Sequence, residues 1–145
     1  MRDVVSLKSI RNYIVLKTLL KTKFLTLYEN AGWVFASRKD VPVVQGNVKP
    51  DAVCILALHL ETKKLVVLKQ YRKSIADWMY ECPAGLVDEG ESIEDAVRRE
   101  LKEETGLDVV AINTVVPRTH ASIGLSDEIQ SIVFCTVTGE PTTQY

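Results

Sequence analysis

Residues Gly85 to Leu107 read GLVDEGESIEDAVRRELKEETGL, and the reading of the whole chain turns on this stretch. Its second half predicts a helix from Ser92 to Thr105. Ser92 offers an N-cap oxygen, with Asp95 three residues on as an approximate capping box. Glu94 and Asp95 favour the positive end of the helix dipole. Ile93, Ala96, Val97 and Leu101 keep the i, i+3, i+4, i+8 rhythm of a buried face, and Gly106 stands where helices commonly end in a left-handed cap. The same helix carries Arg99, Glu100, Glu103 and Glu104. Positions 100, 103 and 104 are spaced i, i+3, i+4, so three carboxylates share one side and repel one another. A hard divalent cation among them relieves that repulsion, because Mg²⁺ takes oxygen ligands and bridges to phosphates. Taken alone, a glutamate cluster is more often a solvated acidic face, here balanced by Arg99 and Lys102.

Outward from the helix, short β-like runs surround it. Ala52–Leu60 and Lys64–Gln70 are rich in Val, Ile and Leu and read as strands around the polar turn Glu61-Thr62-Lys63. Trp78–Cys82 is a short strand ended by Pro83, and Asp108–Val116 and Glu128–Thr138 are further strands. Upstream, Phe24–Tyr28 and Trp33–Ser37 flank Asn30-Ala31-Gly32, a hairpin turn. Asp40–Pro50 holds two prolines and a glycine and reads as a connector, whereas residues 1–23 carry no assignable pattern. The order is mixed α/β.

The 145 residues suffice for a domain with a real core. A formal net charge of −1 gives no nucleic-acid footprint, which needs a strongly basic face. Cys54, Cys82 and Cys135 form no CxxC pair and read as reduced thiols of a cytoplasmic protein, not as a disulfide framework. Lys17, Lys21 and Lys23 interrupt the N-terminal apolar runs, so neither a signal peptide nor a membrane span is expected.

The Gly85–Leu107 stretch resembles the Nudix box: glycine, five residues, Glu, seven residues, then Arg-Glu-aliphatic-x-Glu-Glu-x-Gly-aliphatic. Gly85, Glu91, Arg99, Glu100, Leu101, Glu103, Glu104, Gly106 and Leu107 all match. Seven exact matches arise by chance at about one start in 10⁸. The resemblance implies a Nudix α/β/α sandwich with a mixed sheet and metal-dependent hydrolysis of a pyrophosphate. In that scheme Glu100 and Glu104 are the main metal ligands, with Glu103 beside them, and Glu91 pairs with Arg99 to hold the loop. The ion implied is Mg²⁺, with Mn²⁺ as the substitute. The glycine-bounded loop Gly85–Gly90 lets backbone approach metal and phosphates, which places Gly85 among the substrate contacts.

The flanks resemble one branch of the family. Lys69-Gln70-Tyr71-Arg72 followed by Glu81-Cys82-Pro83-Ala84-Gly85 is similar to the pattern of ADP-ribose and ADP-sugar pyrophosphatases. Carried over, Glu81 and the Ala84 carbonyl complete the metal site, and Arg72 holds substrate phosphates with its guanidinium fork. Ala36-Ser37-Arg38-Lys39 matches the end of that branch's N-terminal β segment, which builds a homodimer in which each site borrows from the partner. Residues 1–45 are then the dimerising segment and 46–145 the hydrolase domain, with Trp33 stacking an adenine and Arg38 reaching the nucleotide. Surface or packing roles for Trp33, Arg38, Arg72 and Glu81 are the plain alternatives. His120–Glu128 resembles the branch's loop with Ile123 in place of its usual proline. That loop supplies the general base in some relatives, through Glu128 or Asp127. The expected C-terminal helix is missing, since the tail Gly139–Tyr145 reads as a turn. Alternative substrates are dinucleoside polyphosphates, coenzyme A or oxidised nucleotides, and a non-catalytic ligand-sensing domain is the rival class. No nucleic acid or membrane partner is expected.

Overall fold

The structure, a computed structural model, describes residues 16–40, 42 and 49–142. Most of the expected connector at 40–50, with the 45/46 boundary, and the last three residues of the tail lie outside the described residues. Three sheets and one helix make up the described part: β1 (Leu16–Lys21), β2 (Thr26–Asn30), β3 (Trp33–Ser37), β4 (Ala52–His59), β5 (Leu68–Arg72), β6 (Asp77–Glu81), β7 (Ala84–Leu86), α1 (Ile93–Thr105), β8 (Asp108–His120) and β9 (Ile129–Thr138). No helix among them is long and apolar enough to cross a membrane.

The central sheet runs β7-β4-β9-β8, and it is mixed: β4 pairs parallel with β9, while β7–β4 and β8–β9 are antiparallel. Alternation along β4 and β9 decides which face is covered. Val53, Ile55 and Ala57 on β4 and Val133, Cys135 and Val137 on β9 are buried, and they meet Ala96, Val97, Leu101 and Leu107 from α1 and its end. The four buried residues of α1 are Ala96, Val97, Leu101 and Thr105, which is the stripe the periodicity predicts. Burying a Val or Leu side chain contributes roughly 1.5–3 kcal/mol, so this seam is the main anchor of the helix.

The ends of α1 are fixed by local chemistry. The Ser92 Oγ accepts from the Asp95 N–H at 3.1 Å and donates to the Asp95 carboxylate at 2.6 Å. Asp95 thus returns a bond to the capping side chain, one methylene short of the glutamate that would reach the capping backbone. Gly106 closes the helix at φ 75°, with its N–H on the Lys102 carbonyl.

The remaining strands depart from expectation at their edges. The β1–β2–β3 sheet is antiparallel, and its β2–β3 turn uses Ala31 and Gly32 at φ 49° and 86°, the two positive values a tight hairpin needs. Strand β1 lies in the region without an assignable pattern. Strand β5 starts at Leu68 and not Lys64, because residues 65 and 66 still bond to β4: Leu65 bridges Leu58, and the Val66 N–H donates to the Ala57 carbonyl. Strand β7 went unpredicted; three residues after a proline carry no periodicity. Strand β8 runs on to His120 through Pro117, with register shifts that absorb the proline.

Candidate active site

The loop between β7 and α1 is built around Arg99. Its Nε and Nη2 donate to the two Glu91 oxygens, both at 2.9 Å; Nη2 also reaches the Leu86 carbonyl at 2.9 Å. Nη1 donates to Glu100 at 2.7 Å and to Glu103 at 3.4 Å. Glu91 in turn accepts the Asp88 N–H at 2.9 Å, which pins the loop on itself. These bonds pull the Glu91 carboxyl down from 4.5 to about 2, first through Arg99 and then through the Asp88 amide. The same carboxylates hold the Arg99 guanidinium more firmly protonated than usual.

Two carboxylates of the helix press on β7. A Cβ built at Gly85 would stand 1.9 Å from the Glu100 carboxyl carbon, so only glycine lets this strand lie against that side chain. One residue earlier, the Ala84 N–H donates to Glu104 at 3.0 Å. Burial pushes the Glu104 carboxyl above its ordinary value, and the charges of Glu100 and Glu81 add to the rise, against the Ala84 amide and Arg72. On the β5–β6 hairpin, Arg72 clamps Glu81 through Nε at 2.9 and 3.0 Å and through Nη2.

The expected residues thus fall into two groups. Glu81, Arg72, Ala84, Gly85, Glu91, Arg99, Glu100, Glu103 and Glu104 gather where the hairpin, β7 and α1 meet. Trp33, Arg38 and Glu128 belong to a second region, where β3 docks on the loop before β9. There the Ala36 N–H donates to the Leu125 carbonyl at 2.9 Å, Ser37 Oγ to Asp127 at 3.0 Å, and Arg38 Nε to Glu128 at 2.8 Å. Trp33 lines a cleft of about 230 Å³ with His120, Ile123 and Asp127. A larger cleft, about 850 Å³, lies between Val66–Gln70, Trp78 and the end of α1, and Glu103 and Glu104 form part of its wall.

Sequence reasoning missed Asp51, whose carboxylate accepts from Lys39 Nζ at 2.9 Å and from the Ile129 N–H at 3.0 Å. It ties the segment after β3 to the start of β9. Its place just after Pro50, ahead of a strand, was the available signal.

Among the described residues no three His, Cys, Asp or Glu side chains already converge at metal-binding spacing. Arg99 draws Glu100 and Glu103 toward itself, and the Ala84 amide holds Glu104. The donor set still fits a hard divalent cation: Glu100, Glu103 and Glu104 offer carboxylate oxygens where α1 lies against β7.

A NUDIX domain family model matches residues 48–144. The chain belongs to the NUDIX family. It is 39% identical over 80 residues to the ADP-ribose pyrophosphatase of Bacillus subtilis, covering 55% of this chain and 42% of that protein. It is 34% identical over 95 residues to the ADP-sugar pyrophosphatase of Mus musculus, covering 62% and 42% respectively. The chain spans about half or less of the length of the curated relatives it matches. A solved structure of an ADP compounds hydrolase shares the fold, with a TM-score of 0.65 at 18% identity over 90% of this chain and 70% of that one.

Proposed function

We propose that the chain hydrolyses the pyrophosphate bond of ADP-ribose or a related nucleoside diphosphate sugar. The products are a nucleoside monophosphate and a sugar phosphate. The observation that carries this reading is the carboxylate array of α1 laid on β7, with Glu100 against Gly85 and Glu104 on the Ala84 amide. The kinship with an ADP-ribose and an ADP-sugar pyrophosphatase supports the substrate class.

In this reading Glu100, Glu103 and Glu104, with Glu81 and the Ala84 carbonyl, hold Mg²⁺ or Mn²⁺. The ion, when bound, neutralises charge on the pyrophosphate and makes a coordinated water more acidic. Arg72 orients the diphosphate through the donors that Glu81 does not use. Arg99 and Glu91 keep the loop and helix in register, so that the carboxylates need only rotate to meet a ligand. The water oxygen bonds to one phosphorus, the bridging P–O bond breaks, and the second phosphate leaves with the electron pair. The water proton passes to a carboxylate; Glu128 and Asp127, which Arg38 and Ser37 engage beside β3, are the candidates that the loop before β9 offers.

The exposed apolar residues of the N-terminal sheet, Leu20, Leu25, Trp33 and Val34 among them, support residues 1–45 as the dimerising segment of a homodimer. The deciding experiment incubates the protein with ADP-ribose and Mg²⁺ and looks for AMP and ribose 5-phosphate, with Glu104→Gln as control. Products from the wild type alone are expected. Binding of ADP-ribose without turnover would overturn the assignment in favour of a ligand-sensing domain.

A further inference from the structure

Cys54 and Cys82 take no part in the chemistry described so far, yet the fold brings them together. Cys54 of β4 lies opposite Ala84 of β7, and the Ile55 N–H donates to the Pro83 carbonyl at 2.8 Å. Carried one residue further, that register sets Cys82 opposite Leu56. Cys54 and Cys82 are then diagonal neighbours on one face of the sheet, the face turned away from α1. Their thiols lie within hydrogen-bonding reach of each other. Both residues are half-buried and so partly open to solvent, whereas Cys135 is buried on the opposite face, against α1.

Diagonal neighbours in a sheet stand about 7–8 Å apart, and a disulfide holds its Cα atoms about 4.4–6.8 Å apart. A bridge here draws one backbone toward the other. Strand β4 is fixed between β7 and β9, and it pairs with β9 from Ala52 to His59. Cys82 and Pro83 lie outside any strand, in the link from β6 to β7. Cys82 is therefore the half that moves. Its neighbours in the chain are Glu81, which Arg72 clamps, and Pro83-Ala84, where the Ala84 N–H holds Glu104.

We propose that Cys54 and Cys82 form a reversible oxidation site: a hydroperoxide converts the two thiols to a disulfide, and the bridge displaces Glu81 and lowers turnover. One sulfur, as thiolate, attacks a peroxide oxygen. The O–O bond breaks, the departing oxygen takes a proton and leaves as water, and a sulfenic acid remains. The other sulfur attacks the sulfenic sulfur; the S–S bond forms, the S–O bond breaks and a second water leaves. The sulfurs lose two electrons in all, and the peroxide takes both. A dithiol reductant reverses the step by exchange. The bridge does not depend on the pyrophosphohydrolase reading; its effect on turnover rests on that reading.

The reduced protein carries three thiols, and hydrogen peroxide should leave one, Cys135. Peptide mapping should find Cys54 joined to Cys82, and a dithiol reductant should return every thiol. Cys54→Ser should form no bridge within the chain. A full thiol count after peroxide, a bridge to Cys135, or sulfinic acid without a bridge overturns the site. Oxidation should lower kcat/KM for ADP-ribose by about 10²-fold, the scale of misplacing a group in a site by about 1 Å. Reduction should restore it, and Cys54→Ser should keep its rate in peroxide. Unchanged hydrolysis by the fully bridged protein overturns the link to Glu81. The two readings fail separately: a bridge in a protein that hydrolyses no diphosphate removes the reaction and keeps the oxidation site. Hydrolysis with every thiol intact in peroxide does the reverse.

Discussion

Arg99 and Arg72 both hold glutamates, and they hold them differently. Arg99, in the loop-and-helix unit, spends hydrogen bonds on Glu91, Glu100, Glu103 and the Leu86 carbonyl, with all three of its nitrogens engaged. Its side chain is 29% exposed, and those of Glu91 and Glu100 are 14% and 13%. Arg72, on the hairpin, is 48% exposed, and among the described residues its hydrogen bonds go to Glu81 alone. An arginine with every donor committed is a strut, since a ligand would have to replace a whole network. One that grips a single carboxylate near solvent keeps N–H groups for an incoming phosphate. The comparison separates a part of the site whose bonds shape the backbone from a part with guanidinium donors left over.

The largest effect is expected away from both arginines. Glu104→Gln should lower turnover by at least about 10²-fold, the scale of removing one preorganised charge-stabilising group. Its amide oxygen still accepts from Ala84, so the melting temperature should hold. Near-normal kcat would move the metal site elsewhere. Next, Arg99→Ala should cost about 2–3 kcal/mol of stability in thermal or denaturant unfolding, because it strips charged hydrogen bonds from partly buried carboxylates. A loss equal to that of Arg72→Ala would erase the distinction drawn above. Arg72→Ala should raise KM for a diphosphate substrate about tenfold and change stability by less than about 1 kcal/mol, as exposed pairs do. Unchanged kinetics would make that pair ordinary surface chemistry.

The smallest effect is in the acid range. The Glu91 carboxyl titrates near 4.5 when unfolded and at about 2 when folded, so the unfolded chain binds the proton first. Its contribution is present in full above pH 4.5 and disappears as pH falls toward 2. Unfolding curves of the wild type should lose stability across that window, and Glu91→Gln should flatten the loss. An identical acid profile in the variant would place the shift on another group.

Much of the first region was legible in the sequence because its determinants are local. Ser92, the apolar stripe and Gly106 define α1 within fifteen residues, and the spacing of Glu100, Glu103 and Glu104 follows from helix geometry. The pairing of Arg99 with Glu91, eight residues apart, comes from the family resemblance and not from any local pattern. The second region depends on docking. That Arg38 meets Glu128, or Ser37 meets Asp127, follows from the way β3 lies beside the loop before β9, which no periodicity encodes. Strand β7 and the β5 boundary escaped for the same reason: both are decided by pairing with β4. Cys54 and Cys82 read as separate thiols, because they become neighbours only once β4 and β7 are in register.

The parallel pairing of β4 with β9 has a consequence in time. Asp51 and Ile129, bonded at the start of that ladder, lie 78 residues apart in the chain. The β5–β6 and β8–β9 hairpins close over short loops and can form in about 1–10 μs, whereas a contact of that span carries the loop-closure entropy of everything between. Strand β7, on which Glu100 and Glu104 rest, pairs with β4, the strand that the long ladder joins to β9, so the floor of the carboxylate patch belongs to the sheet that this ladder completes. In refolding from denaturant, helix content should recover before hydrolytic activity, and activity should track the slowest phase that buries the sheet.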